Sequence, residues 1–98
     1  MSLTLIVTRD VEHRYRGFLA SIMLEVAPGT YVSPRLNRAV RDEIWETLEN
    51  WHRALRRGSI VILWQDKRFA GNLGVRMLGT PKRQFAEVDF LLLTKRAL

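Results

Sequence analysis

Two kinds of apolar pattern alternate along the chain and predict strands and helices. Leu5 to Val7 is a short continuous apolar run, which is typical of a strand covered on both faces. After Asp10, apolar residues recur at helical spacing, so the pattern predicts a first helix with Asp10 as its N-cap and an end near Glu25. Pro28-Gly29 then predicts a type II turn, with glycine taking the positive φ.

A second helix is predicted after a short strand at Thr30 to Val32. Ser33 is a suitable N-cap, and Pro34 suits the first helical position. Gly58 can end the helix. The apolar stripe of this helix consists of Leu36, Val40, Ile44, Leu48, Trp51 and Leu55.

The last third of the chain predicts three strands, at Ile60–Trp64, Leu73–Leu78 and Phe85–Leu93. The resulting order predicts an α+β fold with two helices on one face of a mostly antiparallel sheet of four or five strands. The ferredoxin-like layout fits this order best, as a single domain over residues 1–98. Such a small chain leaves the other sheet face uncovered, so we expect a dimer through that face.

Composition changes the picture mainly through charge. The chain has a net charge of +6 and a pI of about 10.8, which favours polyanionic partners, with nucleic acid first. It contains no cysteine, which excludes disulfides and thiol metal sites and fits a reducing compartment. No segment is long and apolar enough for a signal peptide or a bilayer span, so the expected location is cytoplasmic, with no membrane partner.

Two basic clusters are the candidate binding residues. Arg9, Arg14 and Arg16 gather around the predicted start of the first helix, where an anion is favoured. The second cluster consists of Arg76, Lys82 and Arg83. Because Tyr15 is the one aromatic residue that interleaves with these arginines and lysines, the pattern favours binding to a duplex backbone over stacking on single strands.

Candidate catalytic residues are few. The chain has no cysteine and no serine in a nucleophile-elbow context, and His13 and His52 lack a second ligand at metal spacing. Asp10 is the acidic residue at a strand end. It has two interpretations, a helix cap or one half of a site in which two copies hold a hard cation such as Mg²⁺ across a dimer axis.

Three stretches resemble one known family. VTRDV, RYRGFLASIMLEVAPGTYV and DEIWETL are similar to the type I-E form of the small CRISPR-associated protein "Cas-two". The resemblance is strong from Leu3 to Ala54 and continues in pattern through the final strands.

The resemblance implies a ferredoxin-like symmetric dimer that needs no cofactor and acts in the acquisition of new spacers. In that family the dimer bridges two dimers of the integrase "Cas-one", duplex prespacer DNA lies across it, and the integrase performs the chemistry. Arg14 and Arg16 correspond to DNA-backbone contacts of the family, and Lys82 and Arg83 are the nearest match to a second basic pair. The last strand and tail, residues 84–98, would lie at the dimer or integrase interface.

One departure from the family concerns the end of the first strand. Type I-E relatives often carry an acidic residue where Arg9 stands, and other subtypes use an aspartate there for metal, whereas here the acid is Asp10. Three hypotheses follow: a non-catalytic DNA-binding scaffold, a metal-dependent endonuclease acting on RNA or duplex DNA through Asp10, and a regulatory domain that binds a small ligand.

Overall fold

The computed structural model of the protein describes residues 2–79. The predicted strand Phe85–Leu93, the basic pair Lys82 and Arg83, and the interface segment 84–98 lie outside the described residues.

Within residues 2–79 the chain forms five strands and two α-helices. In chain order the elements are β1 (Ser2–Arg9), α1 (His13–Ile22), β2 (Leu24–Ala27), β3 (Thr30–Leu36), α2 (Arg38–Ala54), β4 (Ser59–Gln65), a 3-10 turn (Ala70–Asn72) and β5 (Leu73–Gly79).

The strands form one sheet in the order β2-β3-β1-β4-β5, and every neighbouring pair is antiparallel. The first strand of the chain therefore lies in the middle of the sheet. Two strand–helix–strand units, β1-α1-β2 and β3-α2-β4, interleave, and β5 extends the edge beside β4. This arrangement confirms the predicted α+β class and its ferredoxin-like character.

Side chains alternate between the two faces of the sheet, as the strand period of two requires. On one face Ile6 lies opposite Tyr31 on β3 and Ile62 on β4, and all three are buried. The core on this face is completed by Tyr15, Leu19 and Met23 from the α1 region and by Ile44, Trp45 and Leu48 from α2.

The other face of the sheet is apolar as well. Leu5 lies opposite Val32 and Leu63, and Val7 lies opposite Val61, all at positions that alternate with the core residues. Val75 and Met77 on β5 continue this face, which we call the open face. None of these side chains belongs to the core that the two helices cover, and Val7 is 37% exposed.

The predicted bounds of the first helix are wrong at both ends. Asp10 has a φ of 58°, a left-handed conformation that an N-cap does not adopt. The N-cap is Glu12, which is extended, and α1 begins at His13. At the other end α1 stops at Ile22, and the chain turns extended at Met23 to form β2. This edge strand was predicted as the last turn of the helix.

The predicted start of the second helix is also wrong. Ser33 and Pro34 lie in β3, where the register with β1 shifts by one residue between Ser33 and Leu36. A proline is tolerated at such an irregularity because it removes a ladder hydrogen bond that is already lost. The N-cap of α2 is Asn37, whose side chain accepts a hydrogen bond from the backbone N–H of Val40 at 2.9 Å.

The other elements predicted within residues 2–79 are confirmed, except that α2 ends at Ala54 and not at Gly58. β4 and β5 match the predicted apolar runs within one residue at each end. Gly29 takes the predicted positive φ, at 76°, in the turn between β2 and β3.

Candidate nucleic-acid interface

The end of β1 and the start of α1 form the first candidate surface. Asp10 turns the chain sharply after β1, and Glu12 then leads into the helix without a side-chain hydrogen bond to the helix N-terminus. The first-turn N–H groups of α1 are therefore not capped by a side chain. Together with the helix dipole, such groups favour an anion.

Arg14 lies on the side of α1 that faces α2. Its guanidinium carbon lies 4.6 Å from the ring centroid of Trp51, and its Nε lies 3.5 Å from a carboxylate oxygen of Glu12. The indole of Trp51 also meets the rings of Tyr15 and Phe18 edge-on, with centroids 5.2 and 5.3 Å apart. Arg14 thus rests on a packed aromatic cluster, while 46% of its side chain stays exposed.

Arg16 lies on the side of α1 that faces β2. Its Nε is 3.5 Å from a carboxylate oxygen of Glu25, and 59% of its side chain is exposed. Glu25 is held in turn by the backbone N–H of Gly29, at 3.1 Å. The two arginines therefore flank α1 on opposite sides, each beside one carboxylate.

A cavity of about 240 Å³ opens between the start of α1 and the β2–β3 turn. It is lined by Thr8, Asp10, Val11, Glu12, His13, Arg16, Pro28, Gly29 and Tyr31. Burial, and then the carboxylate of Glu25, raise the pKa of the Tyr31 hydroxyl.

The other predicted contact residues lie elsewhere. Alternation along β1 places Arg9 on the open face, away from α1, so the structure does not bring it together with Arg14 and Arg16. Arg76 lies on the helix-covered face of β5, with its guanidinium carbon 5.8 Å from the Trp64 ring centroid.

Asp10 and the histidines do not make a metal site within one copy of residues 2–79. In that part of the chain no group of three or more histidine and acidic side chains is arranged to hold a metal ion. Asp10 is exposed and lines the cavity beside Glu12 and His13. A Mg²⁺ site built on Asp10 would therefore need ligands from beyond residues 2–79 of one copy.

A second basic surface, which the sequence did not predict as a site, lies at the other end of the sheet. It is an open cleft of about 690 Å³ at the start of α2, which we call the α2 cleft. The cleft is lined by Leu36, Arg38, Arg41, Gln65, Asp66, Lys67, Arg68 and Asn72. The pairing of β1 with β4 sets its position. Trp64, beside the cleft, pairs with Thr4 near the start of β1, whereas α1 begins beyond the other end of β1, where Arg9 pairs with Ser59.

Arg41 is the unexpected residue of this cleft. It is only 7% exposed, and its guanidinium carbon lies 4.4 Å from the centroid of the Trp64 ring. Burial lowers the pKa of Arg41. The burial of Arg41 was indicated by the sequence spacing. Arg41 stands three residues before Ile44 and seven before Leu48, on the buried stripe of α2.

No helix in the described part of the chain is both long enough and apolar enough to span a bilayer.

The fold and these surfaces define a small ferredoxin-like α+β domain with arginines exposed at a helix start. The chain matches the model of a CRISPR-associated protein family (Cas_Cas2CT1978) over residues 3–93. Because the match covers most of the chain, the protein belongs to this family, the type I-E form of Cas-two. Membership implies a role in CRISPR adaptation and, for the family in general, association with Cas-one.

Proposed function

We propose that the protein is a non-catalytic, dimeric scaffold of CRISPR adaptation that binds duplex prespacer DNA and bridges two dimers of the integrase Cas-one. The observation that carries the DNA-binding part is the pair of exposed arginines, Arg14 and Arg16, on either side of the uncapped start of α1. Paired hydrogen bonds from arginine and the helix N-terminus both suit a phosphate.

The carboxylates beside the two arginines are compatible with this role. Both ion pairs have a closest N–O distance of 3.5 Å and involve largely exposed arginines. Exposed pairs of this kind are worth about 0–1 kcal/mol. The carboxylates keep the two arginines oriented in the free protein, and the exposed parts of the guanidinium groups remain available to a DNA phosphate.

The open face supports the dimer. It presents Leu5, Val7, Val61 and Leu63 side by side, half-buried or exposed, and an apolar sheet face that the helices leave uncovered usually marks an interface. A second copy with the same face is self-complementary about a two-fold axis, which is the commonest oligomer geometry.

DNA binding is tested through its salt dependence. Arg14→Ala and Arg16→Ala should each weaken duplex binding equally for all sequences, because phosphate contacts carry no sequence information. Each substitution should flatten the slope of log K against log salt by about one per lost contact, or about two in a dimer. Arg35→Ala is the matched control, since Arg35 is exposed near the end of β3, away from α1. Unchanged slopes and affinities for both variants would refute the assignment.

The scaffold is tested by assembly. Light scattering should show a dimer at micromolar concentration, and co-expression with Cas-one should yield a complex with two integrase dimers for each dimer of this protein. A stable monomer that does not co-purify with Cas-one would contradict the proposal.

The second candidate function is a metal-dependent endonuclease that uses Asp10 from two copies. The observation that favours it is the exposure of Asp10 in a cavity that also contains Glu12 and His13, which are possible ligand types. Mg²⁺-dependent cleavage of RNA or duplex DNA that disappears in Asp10→Ala would support this alternative.

A further inference from the structure

The α2 cleft contains Arg41, a largely buried arginine. Arg41 is 7% exposed, and among residues 2–79 no hydrogen bond or ion pair to its side chain is found. The ring of Trp64 covers its guanidinium at 4.4 Å. Cation–π contact offsets part of the loss of water, and the N–H donors of the planar group can still meet an acceptor in the cleft.

Asp42 and Asp66 are the two carboxylates that act electrostatically on Arg41, and both already have other partners. Asp66 accepts three kinds of hydrogen bond: from the Arg68 guanidinium at 2.7 and 3.0 Å, from the Arg68 backbone N–H at 3.0 Å, and from the Trp64 indole N–H at 3.2 Å. Asp42 lies 3.8 Å from the Nε of Arg38. Neither carboxylate pairs with Arg41.

The cleft therefore keeps an excess of positive charge. Lys67 is exposed at its edge, and Arg76 lies against the same Trp64 ring as Arg41. The N-terminus of the 17-residue helix α2 opens at the same place and favours an anion there.

We propose that the α2 cleft binds the phosphate group of a phosphate ester, with Arg41 as its buried donor and Arg38 and Lys67 at its rim. Arginine on a rigid helix, held flat by an aromatic ring, is suited to a planar, paired grip on phosphate oxygens. This inference is independent of the proposed DNA contact at Arg14 and Arg16, because the two surfaces lie at opposite ends of the sheet.

The three tryptophans allow the two surfaces to be followed separately. Trp64 lies in contact with Arg41, Trp51 lies under Arg14, and Trp45 is buried in the core. In an NMR titration of the full-length protein with inorganic phosphate, the indole N–H resonance of Trp64 should shift and saturate. The resonance of Trp45 should stay in place, and sodium chloride at matched ionic strength should not reproduce the shift.

Substitutions identify the groups that bind. Arg41→Gln should weaken phosphate binding about tenfold, as expected for the loss of a charged donor. Because Arg41 is buried and its replacement also changes the packing of α2, the exposed double variant Arg38→Gln/Lys67→Gln is tested beside it, with an expected loss of about threefold for each charge. Arg53→Gln is the control, since it removes an exposed arginine from the far end of α2.

The ligand source is resolved by comparing AMP with a short DNA duplex. A Trp64 shift with duplex that shrinks in the double variant assigns the cleft to a nucleic-acid backbone. A shift with AMP and phosphate but not with duplex assigns it to a small phosphate ester. If DNA shifts the Trp64 resonance but not the Trp51 resonance, the result supports phosphate binding in the α2 cleft and contradicts the DNA contact proposed at Arg14.

Two outcomes would overturn the inference. The first is a Trp64 resonance that follows ionic strength alone. The second is an Arg38→Gln/Lys67→Gln variant whose affinities for phosphate, AMP and duplex, measured from the Trp64 resonance, equal those of the Arg53→Gln control.

Discussion

The guanidinium of Arg14 lies over the indole of Trp51, with 4.6 Å between its central carbon and the ring centroid. This contact joins the first turn of α1 to the last turns of α2, because Trp51 is anchored between the rings of Tyr15 and Phe18. An arginine held in this way loses less side-chain freedom when it grips a phosphate. Trp51 is therefore a positioning residue for the proposed DNA contact.

Substitutions of Trp51 should distinguish its contribution to stability from its effect on the orientation of Arg14. Trp51→Leu should lower the free energy of unfolding by about 2 kcal/mol, through the loss of a large, partly buried side chain. It should also weaken duplex binding about threefold, since an exposed cation–π contact is worth about 0.5–1 kcal/mol. Trp51→Phe, which keeps an aromatic face, should retain most of the affinity. Urea denaturation first shows that both variants are folded. Equal duplex affinities of folded Trp51→Leu and Trp51→Phe would then show that Trp51 does not position Arg14.

The left-handed φ of Asp10 gives a stability prediction that differs from that of a helix cap. Asp10→Gly should raise the free energy of unfolding by up to about 1 kcal/mol, because glycine adopts a φ of 58° without steric cost. Asp10→Asn should be close to neutral, and Asp10→Ala should be destabilising by about 1 kcal/mol. Urea denaturation of the three variants checks this order. A capping role would instead make glycine no better than asparagine.

The same residue distinguishes the scaffold from the nuclease. In the scaffold, spacer integration by the assembled complex should survive Asp10→Asn, because Cas-one would supply the chemistry. In a nuclease, asparagine would remove the charge that holds a divalent cation, and Mg²⁺-dependent cleavage should vanish while the fold stays intact. Integration and cleavage are measured together, with circular dichroism as the control. Loss of integration in a folded variant that still assembles would contradict the scaffold.

Two glycines form a matched pair for testing the α2 cleft. A methyl group on Gly74 would overlap the indole of Trp64, so Gly74→Ala should be destabilising by about 1–3 kcal/mol and should displace the ring that covers Arg41. Gly17 lies in α1 with no neighbour within 4 Å of an added methyl group, so Gly17→Ala should be stabilising by about 1 kcal/mol. Thermal unfolding compares the two, and a stable Gly74→Ala protein would contradict the close packing described.

Asp66 gives a dependence of stability on pH. Hydrogen bonds from Arg68, first from its side chain and then from its backbone, hold the pKa of the Asp66 carboxyl well below its usual range. A carboxyl whose pKa is lower in the folded state contributes stability above its unfolded pKa, and this contribution is lost as the pH falls towards the folded pKa. Asp66→Asn should therefore be less stable than wild type at pH 7, and the difference should shrink below about pH 4. A constant difference from pH 7 to pH 2 would contradict this.

The elements that were predicted correctly are those whose own residues form a distinctive local pattern. β1 and β4 contain continuous apolar runs, β5 is an apolar segment interrupted by Arg76, and the turn at Gly29 needs a residue that tolerates positive φ. β2 was missed because Met23 continues the helical spacing of α1, while Leu24 and Val26 are exposed on an edge strand. Only pairing with β3, a tertiary contact, decides between helix and strand there.

The candidate sites were predicted in part, for a similar reason. Arg14 and Arg16 were predicted as contacts from their place at a helix start, which depends on local sequence, and both lie near the start of α1. Arg41 was not, since an arginine on an amphipathic helix is usually solvated, and its burial depends on Trp64 from a distant strand. Arg9 was assigned to the wrong side because the alternation along β1 becomes meaningful only once the helices are known to cover one face.

The central place of β1 has a consequence for synthesis on the ribosome. β1 is the first strand to emerge, and one of its edges pairs with β3, which ends at Leu36. Its other edge pairs with β4, which begins only at Ser59. Until β4 has left the exit tunnel, the nascent chain carries an apolar strand with one unsatisfied edge, a template for mispairing with neighbouring chains. A translational pause that holds β3 outside the exit tunnel and β4 inside it should therefore lower the yield of folded protein more than an equally long pause before β3 has emerged.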